Sequence, residues 1–288
     1  MSQTGLKEAF GRAVWVAAAP GAILFFVMQT YVHFRGSMVG ADSHAYWMAA
    51  RLPGTWYDSP PTYRDAYLYS PVFAQVLWPL GHLPWPVFQV LWVVAQVVAL
   101  GWLLSPLGWR RGLVLAPFFV TELLLGNLYL FFAAALVAAL GRAPGALALP
   151  LLTKIAPGVV GLWFVLRREW GAAAWAAGTT LALVAVSLAV DSRAWVAWLS
   201  FLRDSSGDRG LLIAVRLVLA AALVVVAARL RWVWLLAPAL ILACPVIGGF
   251  GPVAVLAAVP RLLLVQRELR SAPDEDGRSS LAEPSDRR

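Results

Sequence analysis

Apolar runs long enough to cross a membrane recur from residue 13 to about residue 260, and no other feature narrows the possible folds of this chain so far. A helix needs about 20 apolar residues to span a hydrocarbon core of about 30 Å. Repeated runs of that kind, broken by short charged interruptions, specify an all-α, polytopic membrane protein. Composition agrees: 61% of the 288 residues are hydrophobic and 13% are charged, too few charges for a soluble domain of this length. Fifteen Trp suit indole rings that anchor at the water–lipid boundary. The formal charge of +8 raises nucleic acid as a partner, but the arginines form short clusters between apolar runs, not one basic face. Cytoplasmic loops explain that pattern, and nucleic acid is not an expected partner. The single Cys244, inside an apolar run, leaves no intrachain disulfide and argues against a cysteine-based metal site.

Lys7 and Arg12 precede an apolar run over residues 13–32, with small residues at 17–22. The run exceeds a signal-peptide core, so it reads as an uncleaved first transmembrane helix entering from the cytoplasm. A polar, aromatic loop follows over 33–70. Residues 71–83 are apolar but short and punctuated by Pro79 and Pro84, which fits a helix at the surface or dipping in. Residues 86–104 span. Residues 112–140 carry a polar break at Thr121-Glu122 and Gly126-Asn127, and 145–166 carry a second break near Lys154 and Pro157. Each reads as a pair of half-length helices. Residues 175–190 span again, and 192–202 place Trp195, Trp198, Leu199 and Leu202 on one side, as an outer interfacial helix does. A span over 210–228 and a hairpin about Cys244-Pro245 complete the series. The clusters Arg110-Arg111, Arg142, Arg167-Arg168, Arg229, Arg231 and Arg261 then fall on one side, which the positive-inside rule makes cytoplasmic. The expected organisation is a membrane domain over 1–270 with roughly 8–10 transmembrane or re-entrant helices. It has an extracytoplasmic loop at 33–70, an outer amphipathic loop at 191–209, and a disordered cytoplasmic tail at 271–288. No internal repeat is evident.

The loop at 33–70 concentrates the polar chemistry: Asp42, Asp58 and Asp65, with Arg35, Arg51, Arg64 and His44, among many aromatics. A helix beginning near Asp42 puts Asp42, Tyr46 and Ala49 on one face and His44, Trp47, Met48 and Arg51 on another, and Pro53-Gly54 stops it. Asp42 has two readings. One is the helix N-cap and the other a general base presented at a membrane surface; the two are not exclusive, but a capped carboxylate has a lowered pKa and is a poorer base. His44 reads as an interfacial polar residue, since no second histidine stands at metal-ligand spacing. Asp58, Arg64 and Asp65 fit solvated loop charges. Lys154 is costly inside a membrane and suggests function, unless it snorkels to the interface. Glu122 fits a polar contact between helices.

Several segments together resemble glycosyltransferase family 87, the polyprenol-phosphate-mannose-dependent mannosyltransferases of the GT-C superfamily. These are Asp42 with Tyr46, then Tyr67-Leu-Tyr-Ser-Pro-Val-Phe73, Pro79-Leu-Gly-His-Leu-Pro84, Leu91-Trp92, Gly126-Asn127, and Leu152-Thr-Lys-Ile-Ala-Pro157 followed by Arg167-Arg168. Their order and spacing carry the likeness across residues 13–170, with a fainter echo at 195–209. The resemblance implies a GT-C-like architecture in the plasma membrane with an extracytoplasmic active site. It implies a polyprenyl-phosphate sugar donor, transfer of a hexose such as mannose, and a lipid-linked or cell-envelope acceptor. It implies Asp42 as the catalytic base and Lys154 at the donor phosphate. His44, Tyr46, Arg51, Arg64 and Tyr69 are the further candidate substrate-binding residues. Neither cofactor nor metal is expected, because a cation can stabilise a phosphate leaving group directly. Two other classes stay open: a lipid or solute transporter, which broken helices also suit, and a non-catalytic member of the family, which the short chain suggests.

Overall fold

The computed structural model describes residues 3–61, 63, 65–205, 210–244 and 250–271. Arg64, Pro245 and residues 272–288, with the expected hairpin turn and tail, lie outside that set. The described residues form helices, 3₁₀ segments and connecting loops, with no strand among them. The molecule is all-α.

Four described segments are long and apolar enough to cross a membrane: Val14–Arg35, Trp85–Leu107, Trp170–Val190 and Gly210–Leu230. They belong to α1 (Gln3–Arg35), to α4 (Trp85–Leu104) with its short 3₁₀ extension, to α10 (Trp170–Val190) and to α12 (Gly210–Leu230). Ile23, Leu24, Leu181, Val186, Leu211 and Val218 point outward and exposed, as side chains facing acyl tails do. A bent pair supplies a fifth span when it is counted as one unit: Trp109–Leu125 meets Tyr129–Gly141 at 115°. Four or five spans among the described residues fall short of the expected 8–10, because the other apolar runs are broken into helices too short to cross a membrane singly.

Between α1 and α4, the loop folds into α2 (Ala41–Arg51) and α3 (Pro71–Gly81). Ala45, Ala49 and Ala50 favour helix in α2 and let α3 approach closely. At Gly81 any Cβ would sit 2.7 Å from the Ala50 carbonyl carbon, so glycine is what permits the contact. α3 is too short to span. It buries Val72, Phe73, Ala74 and Leu77 while Val76 and Trp78 stay exposed.

The bent pair consists of α5 (Trp109–Leu115) and α6 (Val120–Leu125), joined by a 3₁₀ turn, and then α7 (Tyr129–Gly141). Gly126 ends α6 in the left-handed region, φ 73°, where glycine avoids a Cβ clash. α7 is the centre of the molecule. Leu130, Phe132, Ala133 and Leu136 are fully buried against α4, the 3₁₀ segment Pro144–Leu147 and the apolar 3₁₀ segment Gly251–Ala258.

The second broken run gives α8 (Ala148–Lys154), a 3₁₀ segment Ala156–Gly161, and α9 (Leu162–Leu166). The break falls at Ile155, φ 51°, immediately after Lys154. After α10 come α11 (Ser192–Ser205), α12, α13 (Leu236–Ala243) and α14 (Val259–Ser271). α14 continues well past Arg261, to Ser271.

Candidate active site

The site begins with two residues of α4 that hold the α6–α7 bend. Trp92 Nε1 donates to the Gly126 carbonyl at 2.8 Å, and Gln96 Nε2, one turn on, donates to the Asn127 carbonyl at 2.7 Å. These bonds satisfy backbone acceptors freed where the helix breaks, which an apolar surrounding makes costly to leave open. Gly126 also packs against α2 so closely that a Cβ there would collide with the Ser43 side chain. The bend and α2 are thereby locked together, and Asn127 is brought to Asp42.

Asn127 Nδ2 donates to Asp42 Oδ2 at 2.7 Å. Its Oδ1 accepts from the Leu128 N–H at 2.7 Å, and that bond fixes which end of the amide faces Asp42. Asp42 is not the N-cap of α2. Gly40 holds that position and no side chain caps the helix, so the carboxylate is free to face Asn127. Burial pushes the Asp42 carboxyl above its ordinary value, while the Lys154 charge and the Asn127 hydrogen bond pull it partly back. A raised pKa makes its carboxylate a stronger base than one in water.

Beneath Asp42, Tyr46 is almost completely buried against Phe73 and Trp92. Its hydroxyl shares a 2.9 Å hydrogen bond with that of Tyr69 and reaches Asn127 Oδ1 at 3.4 Å. On the far side, Lys154 Nζ donates to the Tyr129 hydroxyl at 2.8 Å and lies 5.7 Å from the centre of the Tyr69 ring. Glu122 Oε1 accepts the Tyr129 backbone N–H at 2.6 Å, so this buried carboxyl caps the start of α7. Glu122 makes its polar contact with the helix end next to its own.

Asp42, Tyr69, Asn127, Tyr129, Lys154 and Trp198 are among the residues that line one cavity of about 330 Å³. That volume lies at the lower end of ligand pockets, about 300–1,000 Å³. An acid–base group and a cation therefore face one partly open, mostly apolar space.

The remaining sequence candidates lie elsewhere. His44 projects from α2 away from the cavity, with Nδ1 2.7 Å from Asp65 Oδ1 and its ring edge-on to Trp85 at 4.6 Å. Asp65 is thus an ion-pair partner for a protonated His44, where the sequence suggested a solvated charge. Arg51 lies 5.3 Å from the centre of the Trp47 ring. Neither His44 nor Arg51 lines the cavity. Arg64 lies outside the described residues. No group of three or more His, Cys, Asp or Glu side chains among the described residues is placed to hold a metal ion.

Sequence reasoning did not assign Asn127, Tyr129 or Trp198 to the site. A polar residue after glycine inside an apolar run was the signal for Asn127. Trp198 was visible only as part of an amphipathic stripe.

The profile of glycosyltransferase family 87 matches residues 67–273, more than half of the chain. Tyr69, Asn127, Tyr129, Lys154 and Trp198 fall within the matched segment, and Asp42 precedes it. No curated protein and no solved structure matches the chain.

Proposed function

This chain belongs to glycosyltransferase family 87, and from that premise we propose that it moves a hexose, mannose first among the candidates, from a polyprenyl-phosphate donor to a lipid-linked or cell-envelope acceptor. The observation that carries the proposal is that Asp42 and Lys154 line the same cavity. In the proposed step, the Asp42 carboxylate takes the proton of an acceptor hydroxyl as its oxygen attacks the anomeric carbon. The bond from that carbon to the phosphate oxygen breaks, with inversion, and polyprenyl phosphate leaves. The proton ends on Asp42, and the Lys154 ammonium pairs with the phosphate oxygens. Tyr69 and Tyr129 line the cavity beside the lysine.

The donor's lipid tail requires the cavity to meet the membrane at one face. The arginine clusters support the extracytoplasmic face, with residues 33–70 and 191–209 outside and 271–288 inside. Purified protein incubated with labelled polyprenyl-phosphate hexoses and a membrane lipid extract tests the reading. Wild-type protein is expected to form a glycosylated product. Asp42→Asn should lower the rate by about 10²–10⁴ at unchanged expression, the usual loss for a general base. Lys154→Gln should mainly raise the donor KM, with kcat falling too where charge grows on the leaving phosphate. No product from any hexosyl donor would leave the transport and non-catalytic readings in possession.

A further inference from the structure

We propose that a second, smaller pocket, between α11 and the loop after α2, binds one sugar unit of a neutral glycan: the part of the acceptor that trails behind its reacting end. The inference rests on the glycosyl-transfer reading and adds to it a binding site outside the cavity.

The amphipathic stripe of α11 suggests a helix lying flat on lipid, yet its sides meet different surroundings. Leu199 is 58% exposed, whereas Trp198 is buried and lines the cavity together with Leu202. One turn earlier, Ala194 and Ala197 line a separate pocket of about 260 Å³ together with Gly54, Tyr57, Asp191 and Arg193. The walls of this pocket are held in place. Asp191 Oδ1 accepts the Ala194 N–H at 3.1 Å, Trp195 Nε1 donates to Ser187 Oγ at 2.9 Å, and Phe201 packs on Tyr57 at 5.5 Å. The Tyr57 hydroxyl donates at 2.8 Å to the carbonyl of Tyr69, whose residue also lines the cavity. The pocket and the cavity are therefore neighbours, with α11 and the Tyr57–Tyr69 contact common to both.

The charged groups of the pocket select its ligand. Asp191 is half-buried and Arg193 exposed, so both are within reach of a solute. Neither belongs to the two ion pairs among the described residues, His44–Asp65 and Arg167–Glu169. The bond to Ala194 engages one Asp191 oxygen and leaves the other open. A carboxylate accepts and a guanidinium donates, whereas a sugar hydroxyl does both, so the hydroxyls of one ring can serve the two groups together. A phosphate would gain Arg193 but be repelled by Asp191, and a lipid tail would leave both charges without a partner. Gly54, φ 96°, has nothing within 4 Å of an added Cβ, so the space beside it is open. The volume falls just under the usual range of ligand pockets, about 300–1,000 Å³, which suits one ring of a longer chain.

The test uses the full-length protein in detergent and saturation-transfer NMR, with mannotriose, maltotriose and glycerol 3-phosphate as probes. At least one neutral trisaccharide is expected to bind. Arg193→Gln, which removes the charge, and Ala197→Phe, which fills the pocket from a helical position, should each weaken that binding about 10-fold, the scale of one hydrogen bond to a charged group. Asp191→Asn should weaken it too while keeping a side chain that can cap α11, which separates lost binding from lost folding. In kinetics, octyl mannotrioside should show a lower KM than octyl mannoside, and the same variants should erase that difference. Three results overturn the proposal: no binding of either trisaccharide, binding that the pocket variants leave unchanged, or glycerol 3-phosphate held through Arg193 in preference to both sugars. Pocket-dependent sugar binding in a protein that transfers nothing would sustain this site while overturning the proposed reaction. Transfer with equal KM for the one-sugar and three-sugar acceptors would overturn the site and leave the reaction standing.

Discussion

At the scale of single residues, the pair Asp42–Asn127 decides how the site should respond to pH. The base must be ionised, and burial holds its pKa above the ordinary carboxylate value of about 3.9. Activity should therefore fall as pH drops through that raised value, and the acidic limb of kcat/KM should lie above the range of a solvent-exposed aspartate. Asn127 works in the opposite direction by hydrogen-bonding the ionised form. Removing it with Asn127→Ala should move the acidic limb to still higher pH, while a purely structural asparagine would lower activity without moving the limb. For stability the sign is the reverse of a salt-bridged carboxylate: a raised folded pKa favours the fold below the unfolded pKa, and that contribution is lost as pH rises through the folded value. The sequence made Asp42 visible because an acidic residue after glycine opens a helix. It did not show that Gly40 would take the cap, nor that the partner would stand 85 residues away, because periodicity describes one element at a time.

At the scale of elements, both broken runs were legible, since Glu122, Gly126-Asn127 and Lys154 put polar groups where an unbroken span would have none. The inward turn of α11 was not. Its stripe separates apolar from polar sides, but in a membrane lipid and protein are both apolar cover, so hydropathy cannot tell which one meets Trp198. The junction of α2 with the α6–α7 bend makes a sharper demand on sequence. Alanine at 126 would meet the left-handed backbone penalty, about 1–2 kcal/mol, and also press on Ser43. Gly126→Ala should therefore lower the melting temperature in detergent and reduce activity along with it. Adding Ser43→Gly should restore part of the loss by relieving the collision, since the backbone penalty remains. Full tolerance of the single substitution would mean that α2 and the bend are not tightly seated.

At the scale of the whole molecule, the arginine clusters predict on which side the site opens. Ser59 lies exposed in the loop between α2 and α3, and the native Cys244 is buried, so a Ser59→Cys variant offers one accessible thiol among the described residues. An impermeant thiol reagent should label it in intact cells. Labelling that requires permeabilisation would reverse the orientation and with it the choice of donor. The site's parts are also far apart along the chain, and that bears on how the protein is made. The Asp42 and Tyr46 side chains leave the ribosome some 80 residues ahead of Asn127, and Trp198 follows later still. At about 5–20 residues per second, the first helix of the loop waits several seconds for the groups that satisfy its carboxylate and its phenol. During that interval these groups must stay hydrated or be shielded by the insertion machinery. A ribosome stalled before α7 would leave a nascent chain with a base and nothing to aim it, and quality-control proteases would meet that loop before any substrate did.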